Sequence, residues 1–220
     1  MQFDGLPDNN TVVITGKIVE GCIFSHEVYG VGFYTFRIES ERLSDKADVL
    51  PVTISERLID RSLLQVGERV DIIGQLRSYN NYNSKKNRLV LTVFAREIRM
   101  MDAEEEKNEN QIILNGFICK APIYRKTPFG REISDILVAV NRAYNKSDYL
   151  PCIAWGRNAR FVQNAEVGQK VYISGRIQSR DYQKKLSDDE VETRVAYEIS
   201  VSKIAKDEAN IEFDIADTIS

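Results

Sequence analysis

The chain has 220 residues, a formal net charge of −3, and a composition that is 43% hydrophobic and 29% charged. This is ordinary for a globular protein with a buried core. The chain contains no apolar run of 18 residues, and its N-terminus lacks the pattern of a secretion signal, so we expect an intracellular, non-membrane protein.

Period-2 alternation of β-branched and aromatic residues, bounded by Gly, Pro, Asn and Ser, predicts ten strands. In the first half they cover residues 11–23, 33–40, 49–54, 69–77 and 88–99, with a helix near 56–64. In the second half they cover residues 111–119, 131–142, 149–155, 170–180 and 192–203, with a short helix at 157–164. Each half therefore has five strands, with one helix between the third and the fourth.

Short motifs return at a spacing of 100 residues. Thr15-Gly16-Lys17-Ile18 matches Asn115-Gly116-Phe117-Ile118, and Leu50-Pro51 matches Leu150-Pro151. A period this long indicates a duplicated small domain, because solenoid repeats mostly have periods of 20–50 residues. The element order in each copy is typical of the OB-fold, a five-stranded Greek-key barrel that often binds oligonucleotides or oligosaccharides. The predicted fold class is therefore all-β, with two tandem OB-folds.

The distribution of charge predicts the domain boundaries. Residues 13–102 carry a net charge of +1 and residues 110–207 a net charge of +5, while residues 1–12, 103–109 and 208–220 are acidic. We predict a first OB-fold at 1–102, an acidic linker at 103–109, a second OB-fold at 110–206 and an acidic C-terminal tail at 207–220. The local charge of a domain decides its partners more than the charge of the whole chain.

Motifs of catalysis and of metal binding are absent from the sequence. His26 is the single histidine, and Cys22, Cys119 and Cys152 form no Cys-x-x-Cys pair, so we expect free thiols and no metal site. No phosphate-binding loop, nucleophile elbow or zinc-protease motif is found. The sequence therefore predicts a protein without a cofactor that is not an enzyme.

The second half interleaves basic and aromatic residues at its loops and strand ends. The segments are Tyr124-Arg125-Lys126, Phe129-Gly130-Arg131, Arg142-Ala143-Tyr144, Trp155-Gly156-Arg157 and Arg180-Asp181-Tyr182-Gln183-Lys184-Lys185. Rings stack on unpaired bases while Lys and Arg follow the phosphates, which is how single-stranded nucleic acid is bound. A single aromatic ring is as compatible with the barrel core as with a binding site. Several rings that each adjoin a Lys or Arg favour a nucleic-acid-binding site.

Five segments of the second half resemble the bacterial single-stranded DNA-binding protein (SSB) family. They are Asn115-Gly116, residues 122–130 (PIYRKTPFG), Leu137-Val138-Ala139-Val140, Cys152-Ile153-Ala154-Trp155-Gly156 and residues 168–177 (GQKVYISGRI). The resemblance implies that Tyr144, Tyr149, Trp155 and Tyr182 stack on bases. It also implies phosphate contacts from Arg125, Lys126, Arg131, Arg176, Arg180, Lys184 and Lys185. Tyr124, Phe129 and Arg142 complete the predicted site in this half.

The first half departs from that pattern. Val49, Ser55 and Ser44 stand where the second half has Tyr149, Trp155 and Tyr144. The remaining candidates are Arg77, Tyr79, Tyr82, Lys85, Lys86 and Arg88. The first hairpin is instead rich in rings, namely Phe24, His26, Tyr29, Phe33 and Tyr34. The first domain either binds DNA through these hairpin loops or serves as an assembly surface, and the sequence leaves both possibilities open.

The sequence is therefore interpreted as a non-catalytic single-stranded-DNA-binding protein of DNA replication, recombination or repair. The resemblance implies four OB domains per assembly, hence a homodimer in the bacterial cytoplasm, associated with the nucleoid. It also implies that the acidic tail docks replication or repair proteins. The alternatives are an OB-fold adaptor of replication restart or of a mobile element, an OB-fold nuclease, and a preference for RNA.

Overall fold

The structure is a computed structural model, and it describes residues 9–42, 44, 46–80, 89–185 and 191–206. In the first half, the strands are β1 (Asn10–Val28), β2 (Val31–Glu41), β3 (Ala47–Ser55), β4 (Arg69–Asn80) and β5 (Leu89–Met100). Strand β1 pairs with both β4 and β2, so the order β1-β2-β3-β5-β4 closes into a ring. This closed ring of five strands is the predicted OB barrel.

The second half repeats this arrangement. Its strands are β6 (Asn110–Ile118), β7 (Ile123–Lys126), β8 (Glu132–Arg142), β9 (Lys146–Trp155), β10 (Lys170–Lys185) and β11 (Val191–Ala205), with helix α1 (Gly156–Val162) after β9. The ring order is β6-β10-β11-β9-β8, and β8 pairs back to β6. The fold prediction of two tandem OB barrels is confirmed. Among the residues described, no helix is long and apolar enough to span a membrane.

Alternate residues of each strand form the cores. In the first barrel, Ile14, Ile38 and Ile72 are fully buried, and in the second barrel Leu114 and Leu150 are fully buried. Side chains alternate between the two faces of a strand, so the residues between these core positions point outward. The outward positions are therefore free to carry a binding surface without disturbing the core.

Two local predictions are wrong. The helix predicted near residues 56–64 is only a 3₁₀ turn at Arg61–Leu63, capped by Asp60. Leu58 and Leu63 are 36% and 49% exposed there, so the segment has too little buried apolar surface to hold a helix. Helix α1 forms in the second half, where it buries Ala159 and Val162. Strand β7, which is only four residues long, was not predicted.

The chain separates into two compact units. One unit contains the described residues of 11–111 together with those of 177–198, and the other contains residues 9–10, 112–176 and 199–206. The end of β10 and the beginning of β11 therefore group with the first barrel. This segment carries several of the predicted DNA contacts, so the residues of the first barrel that hold it also influence the position of those contacts.

A buried carboxylate anchors the end of β10. Asp48 is fully buried, and its Oδ1 accepts hydrogen bonds from the backbone N–H of Ser179 at 2.7 Å and from the Ser179 hydroxyl at 3.1 Å. Arg42 donates to both oxygens of Asp48, at 2.9 and 2.6 Å. Burial by itself raises the pKa of Asp48, but the hydrogen bonds from Arg42 and Ser179 outweigh it and hold the pKa below its ordinary value.

We expect Asp48→Asn to lower the free energy of unfolding by about 1–3 kcal/mol at pH 7, because Arg42 loses its charged partner. The folded pKa of Asp48 lies below the unfolded value of about 3.9. Its stabilisation is therefore complete above that value and is lost as the pH falls through the folded pKa. Urea unfolding should show a smaller difference in the free energy of unfolding between wild type and Asp48→Asn at pH 3 than at pH 7.

Asp60→Asn is the matched control for this prediction. Asp60 is exposed, its pKa is also lowered by the backbone N–H of Ser62, and Asn caps a helical turn about as well as Asp does. We expect Asp60→Asn to leave stability within about 0.5 kcal/mol of wild type. An Asp48→Asn variant as stable as wild type at pH 7 would show that the anchor does not stabilise the fold.

Candidate nucleic-acid interface

Two of the predicted stacking rings share the outward face of β9. Leu150, Cys152 and Ala154 of this strand point into the core, so the residues between them point outward. Tyr149 and Trp155 are both at outward positions, with 46% and 38% of their surfaces exposed. Six residues of strand separate them by about 20 Å. These two rings therefore lie on the same side of β9, one near each end of the strand.

A third ring on this face, Phe117, was not predicted. Phe117 of β6 pairs with Ala139 of β8, and Ala139 pairs with Tyr149 of β9. Directly paired residues point to the same side of a sheet, so Phe117 and Tyr149 flank the small Ala139 about 10 Å apart. Phe117 is 36% exposed. The signal for it was the inward alternation of Ile112, Leu114, Gly116 and Ile118, which leaves position 117 outward.

Two predicted contacts at β7 are already paired with carboxylates. The guanidinium of Arg125 donates to both oxygens of Asp135, with its shortest contact at 2.8 Å. The Tyr124 hydroxyl donates to Glu132 at 2.6 Å, and this bond is the main cause of the raised pKa of Tyr124. Because the Arg125–Asp135 pair is exposed, it contributes little stability and a phosphate competes for Arg125 at small cost.

The turn between β7 and β8 presents a ring and two cations to solvent. Phe129 is 93% exposed, and Lys126 and Arg131 are exposed beside it. Among the described residues, neither cation has a carboxylate within ion-pair distance. The backbone of Thr127 closes the turn through two hydrogen bonds of 2.8 Å. The turn therefore offers charge for a phosphate and a ring for a base.

Tyr144 lies at the tip of the β8–β9 hairpin rather than on the β9 face. It is 94% exposed and has φ 60° and ψ 38° in a 3₁₀ turn at Ala143–Asn145. This left-handed conformation costs a non-glycine residue about 1–2 kcal/mol, and such strain concentrates at functional sites. Below the tip, Arg142 pairs with the buried Asp148 at 3.3 Å. The guanidinium that was predicted to contact a phosphate is therefore already paired with a carboxylate.

The β10–β11 segment holds the last set of predicted contacts. Arg180 pairs with Glu198 at 3.4 Å, and Tyr182 is half-buried. Lys184 and Lys185 are exposed, whereas Arg176 is half-buried. This segment is thus basic and aromatic toward its end.

The predicted contacts of the first barrel are only partly within the described residues. Arg77 is half-buried and donates to Gln75. Tyr79 is 51% exposed at the end of β4, and its partial burial raises its pKa. Tyr82, Lys85, Lys86 and Arg88 lie outside the described residues. No three His, Cys, Asp or Glu side chains in the described part of the chain come close enough to hold a metal ion.

Comparison with known proteins matches the second barrel. Residues 109–206 match the model of the Single-strand binding protein family. A single-stranded DNA-binding protein of Clostridium tetani is 34% identical over 83 residues, which are 34% of this chain and 57% of that protein. Single-stranded DNA-binding protein A of Bacillus subtilis is 32% identical over 81 residues, 34% of this chain and 47% of that protein. The chain thus spans about half the length of these relatives.

A solved structure matches the whole fold. The wild-type single-stranded DNA binding protein from Thermus aquaticus covers 94% of this chain and 97% of its own, with a TM-score of 0.74 and 16% sequence identity. At this identity the likeness shows the fold alone. The order of the strands and of the motifs agrees with this match, and residues 109–206 are similar to the single-strand binding protein family.

Proposed function

We propose that the chain binds single-stranded DNA without catalysis, mainly through the outward face of β6, β8 and β9. The observation that carries this proposal is the shared face of Phe117, Tyr149 and Trp155, each between 36% and 46% exposed. Exposed rings stack on unpaired bases, which duplex DNA does not offer. The relatives of residues 109–206 are named as single-stranded DNA-binding proteins, which supports the same ligand.

Phosphate contacts come from cations that no carboxylate neutralises. Lys126, Arg131 and Lys184 are exposed, and in the described part of the chain none of them has an ion-pair partner. Neutralised phosphates release counterions, so affinity should fall as salt rises. Arg125 and Arg180 add contacts if a phosphate replaces Asp135 and Glu198.

The proposed domain organisation keeps the boundaries that charge predicts. These are a first OB-fold at 1–102, a linker at 103–109, a second OB-fold at 110–206 and an acidic tail at 207–220. We place the protein in the bacterial cytoplasm, at the nucleoid, in DNA replication, recombination or repair. The ligand and the bacterial sources of the relatives support this assignment.

Titration of Trp155 fluorescence with oligo-dT tests the binding proposal. Trp155 is the single tryptophan, so we expect its emission to be quenched as bases stack, with tighter binding at low salt than at high salt. Phe117→Ala and Tyr149→Ala should each weaken binding by about 1–3 kcal/mol. Phe161→Ala is the matched control, because Phe161 is 45% exposed on α1, outside this face.

Three outcomes would contradict parts of the proposal. Equal losses of affinity for oligo-dT in Phe117→Ala and in Phe161→Ala would show that the shared face is not the binding surface. Tighter binding of oligo-rU than of oligo-dT would indicate RNA as the ligand. Undetectable binding at low salt, together with a stable protein partner, would favour the alternative of an OB-fold adaptor.

We also propose that two chains form a homodimer. The family resemblance implies four OB domains per assembly, and each chain supplies two. Multi-angle light scattering should give twice the mass of one chain, independent of protein concentration in the micromolar range. A mass of one chain or of four chains would contradict this count.

The acidic tail, which lies outside the described residues, is proposed to dock replication or repair proteins. Residues 208–220 carry a net charge of −4 and include Ile211, Phe213, Ile215 and Ile219. Deletion of 208–220 should abolish their co-purification with the tagged protein and leave the affinity for oligo-dT within about twofold of the intact chain. Unchanged co-purification would contradict the docking role.

A further inference from the structure

An ion pair lies on the same side of the second barrel as Trp155. Arg125 of β7 pairs directly with Ile133 of β8, and Ile133 pairs with Trp155 of β9. Directly paired residues point to the same side of a sheet, and two strand spacings separate the backbones of Arg125 and Trp155 by about 10 Å. Asp135, two residues after Ile133 on β8, points to this side as well. The phosphate next to a base stacked on Trp155 therefore comes near both charges.

Asp135 takes up one edge of the Arg125 guanidinium and its charge. Arg125 Nε donates to Asp135 Oδ2 at 3.1 Å, and Nη2 donates to Oδ1 at 3.2 Å and to Oδ2 at 2.8 Å. A phosphate binds side-on to this edge only by displacing the carboxylate. A phosphate at the other edge shares a single positive charge with Asp135 and is repelled by it. In both cases Asp135 lowers the contribution of Arg125 to phosphate binding.

Asp135 differs from the carboxylates that pair with two other predicted phosphate contacts. Asp148, the partner of Arg142, is fully buried. Glu198, the partner of Arg180, is only 8% exposed. Breaking a buried pair leaves an uncompensated charge, so these two acids are needed by the fold. The side chain of Asp135 is instead 41% exposed, and an exposed pair contributes little to stability.

The β7–β8 turn shows the contrast between a paired cation and unpaired ones. Lys126, which follows Arg125 in the chain, is exposed, and so is Arg131. Within the described ranges neither has a carboxylate at ion-pair distance, and the Asp135 carboxylate has no hydrogen-bond donor besides Arg125. The turn thus offers two cations to a phosphate and withholds a third. The acid that withholds it lies on the proposed binding face and is not needed by the fold, which indicates a role in binding.

We propose that Asp135 limits the affinity of this site for single-stranded DNA, because it competes with the phosphate for Arg125. The inference rests on the proposed function, since it concerns the same site and ligand. In the free protein the carboxylate holds the guanidinium that a phosphate would bind. When a bound strand leaves, Asp135 pairs with Arg125 again, so the strand dissociates more readily than from a site whose cations are all unpaired. Asp135 thus acts on binding through Arg125 rather than through a contact with the strand.

Asp135→Asn in the full chain tests this inference. Affinity is measured by the fluorescence anisotropy of labelled oligo-dT over a series of salt concentrations. Removal of the competing charge should tighten binding about two- to fivefold at low salt, the size expected of an exposed ion pair. It should also steepen the fall of log affinity with log salt by about 0.7, the value for one additional phosphate contact on a single strand. A purely structural role of Asp135 would not change this slope.

Two further variants serve as controls. Arg125→Gln combined with Asp135→Asn should abolish the gain in affinity and in slope, because both require the released guanidinium. Glu166→Gln removes the same charge from an exposed position in the loop after α1, where the described residues place no ion-pair partner. It releases no cation, so affinity and slope should equal those of wild type. Thermal unfolding followed by circular dichroism confirms that each variant is folded.

Three results would overturn the inference and leave the proposed function standing. The first is a folded Asp135→Asn variant that binds oligo-dT no more tightly than wild type; weaker binding would show that Asp135 orients Arg125 for the phosphate. The second is an equal gain in Glu166→Gln, which would assign the effect to net charge. The third is a gain that persists in the double variant. Undetectable binding of oligo-dT by wild type and by Asp135→Asn at low salt would overturn the proposed function as well.

Discussion

Closure of each barrel depends on a glycine in its first strand. A Cβ atom at Gly16 would lie 2.7 Å from the carbonyl oxygen of Glu39, and one at Gly116 would lie 2.6 Å from that of Ala139. Only glycine allows two backbones to approach this closely. The close approach lets the first strand pair with a neighbour on each side, and the ring of five strands closes. The two glycines are 100 residues apart, so the same constraint acts in both copies.

Outside this constraint, the outward faces of the two barrels have diverged. Paired positions across the first three strands of each barrel are Phe117, Ala139 and Tyr149 in the second barrel and Lys17, Glu39 and Val49 in the first. The two rings Phe117 and Tyr149 thus correspond to Lys17 and Val49, and the small Ala139 between the rings corresponds to Glu39. Outward residues contribute little to the core, so they changed without loss of the fold. The rings of the first barrel lie instead on its extended hairpin.

The sequence predicts the strands well because buried and exposed residues alternate regularly along them. Trp155 and Tyr149 were predicted as stacking rings from the family resemblance, and the structure places both at outward positions of β9. Alternation along β6 leaves Phe117 outward, but no motif marks it as a contact, and only the register through Ala139 shows that it lies on the same face as Tyr149. The register of β1 and β2 also shifts near Glu20 and again between Phe24 and His26. A pattern of alternating residues does not predict such shifts.

Contacts between residues distant in sequence were beyond prediction for a different reason. Asp48 and Ser179 are 131 positions apart, and each appears in the sequence as an ordinary polar residue. Only the fold brings the carboxylate to the backbone N–H of Ser179, because the end of β10 groups with the first barrel. The acid that makes this contact is itself part of the repeat, since Arg42 and Asp48 recur as Arg142 and Asp148 with the same pairing.

The Asp48 anchor connects the scaffold shared by the two repeats to the segment that carries the proposed contacts of β10. Ser179 immediately precedes Arg180 and lies three residues before Tyr182. A segment held at Ser179 starts from an ordered backbone, so less conformational entropy is lost when its side chains engage a strand of nucleic acid. In the proposed function, the first barrel, which lacks these outward rings, assists binding in this way, because it orders a segment that carries the cations and the ring of the proposed contacts.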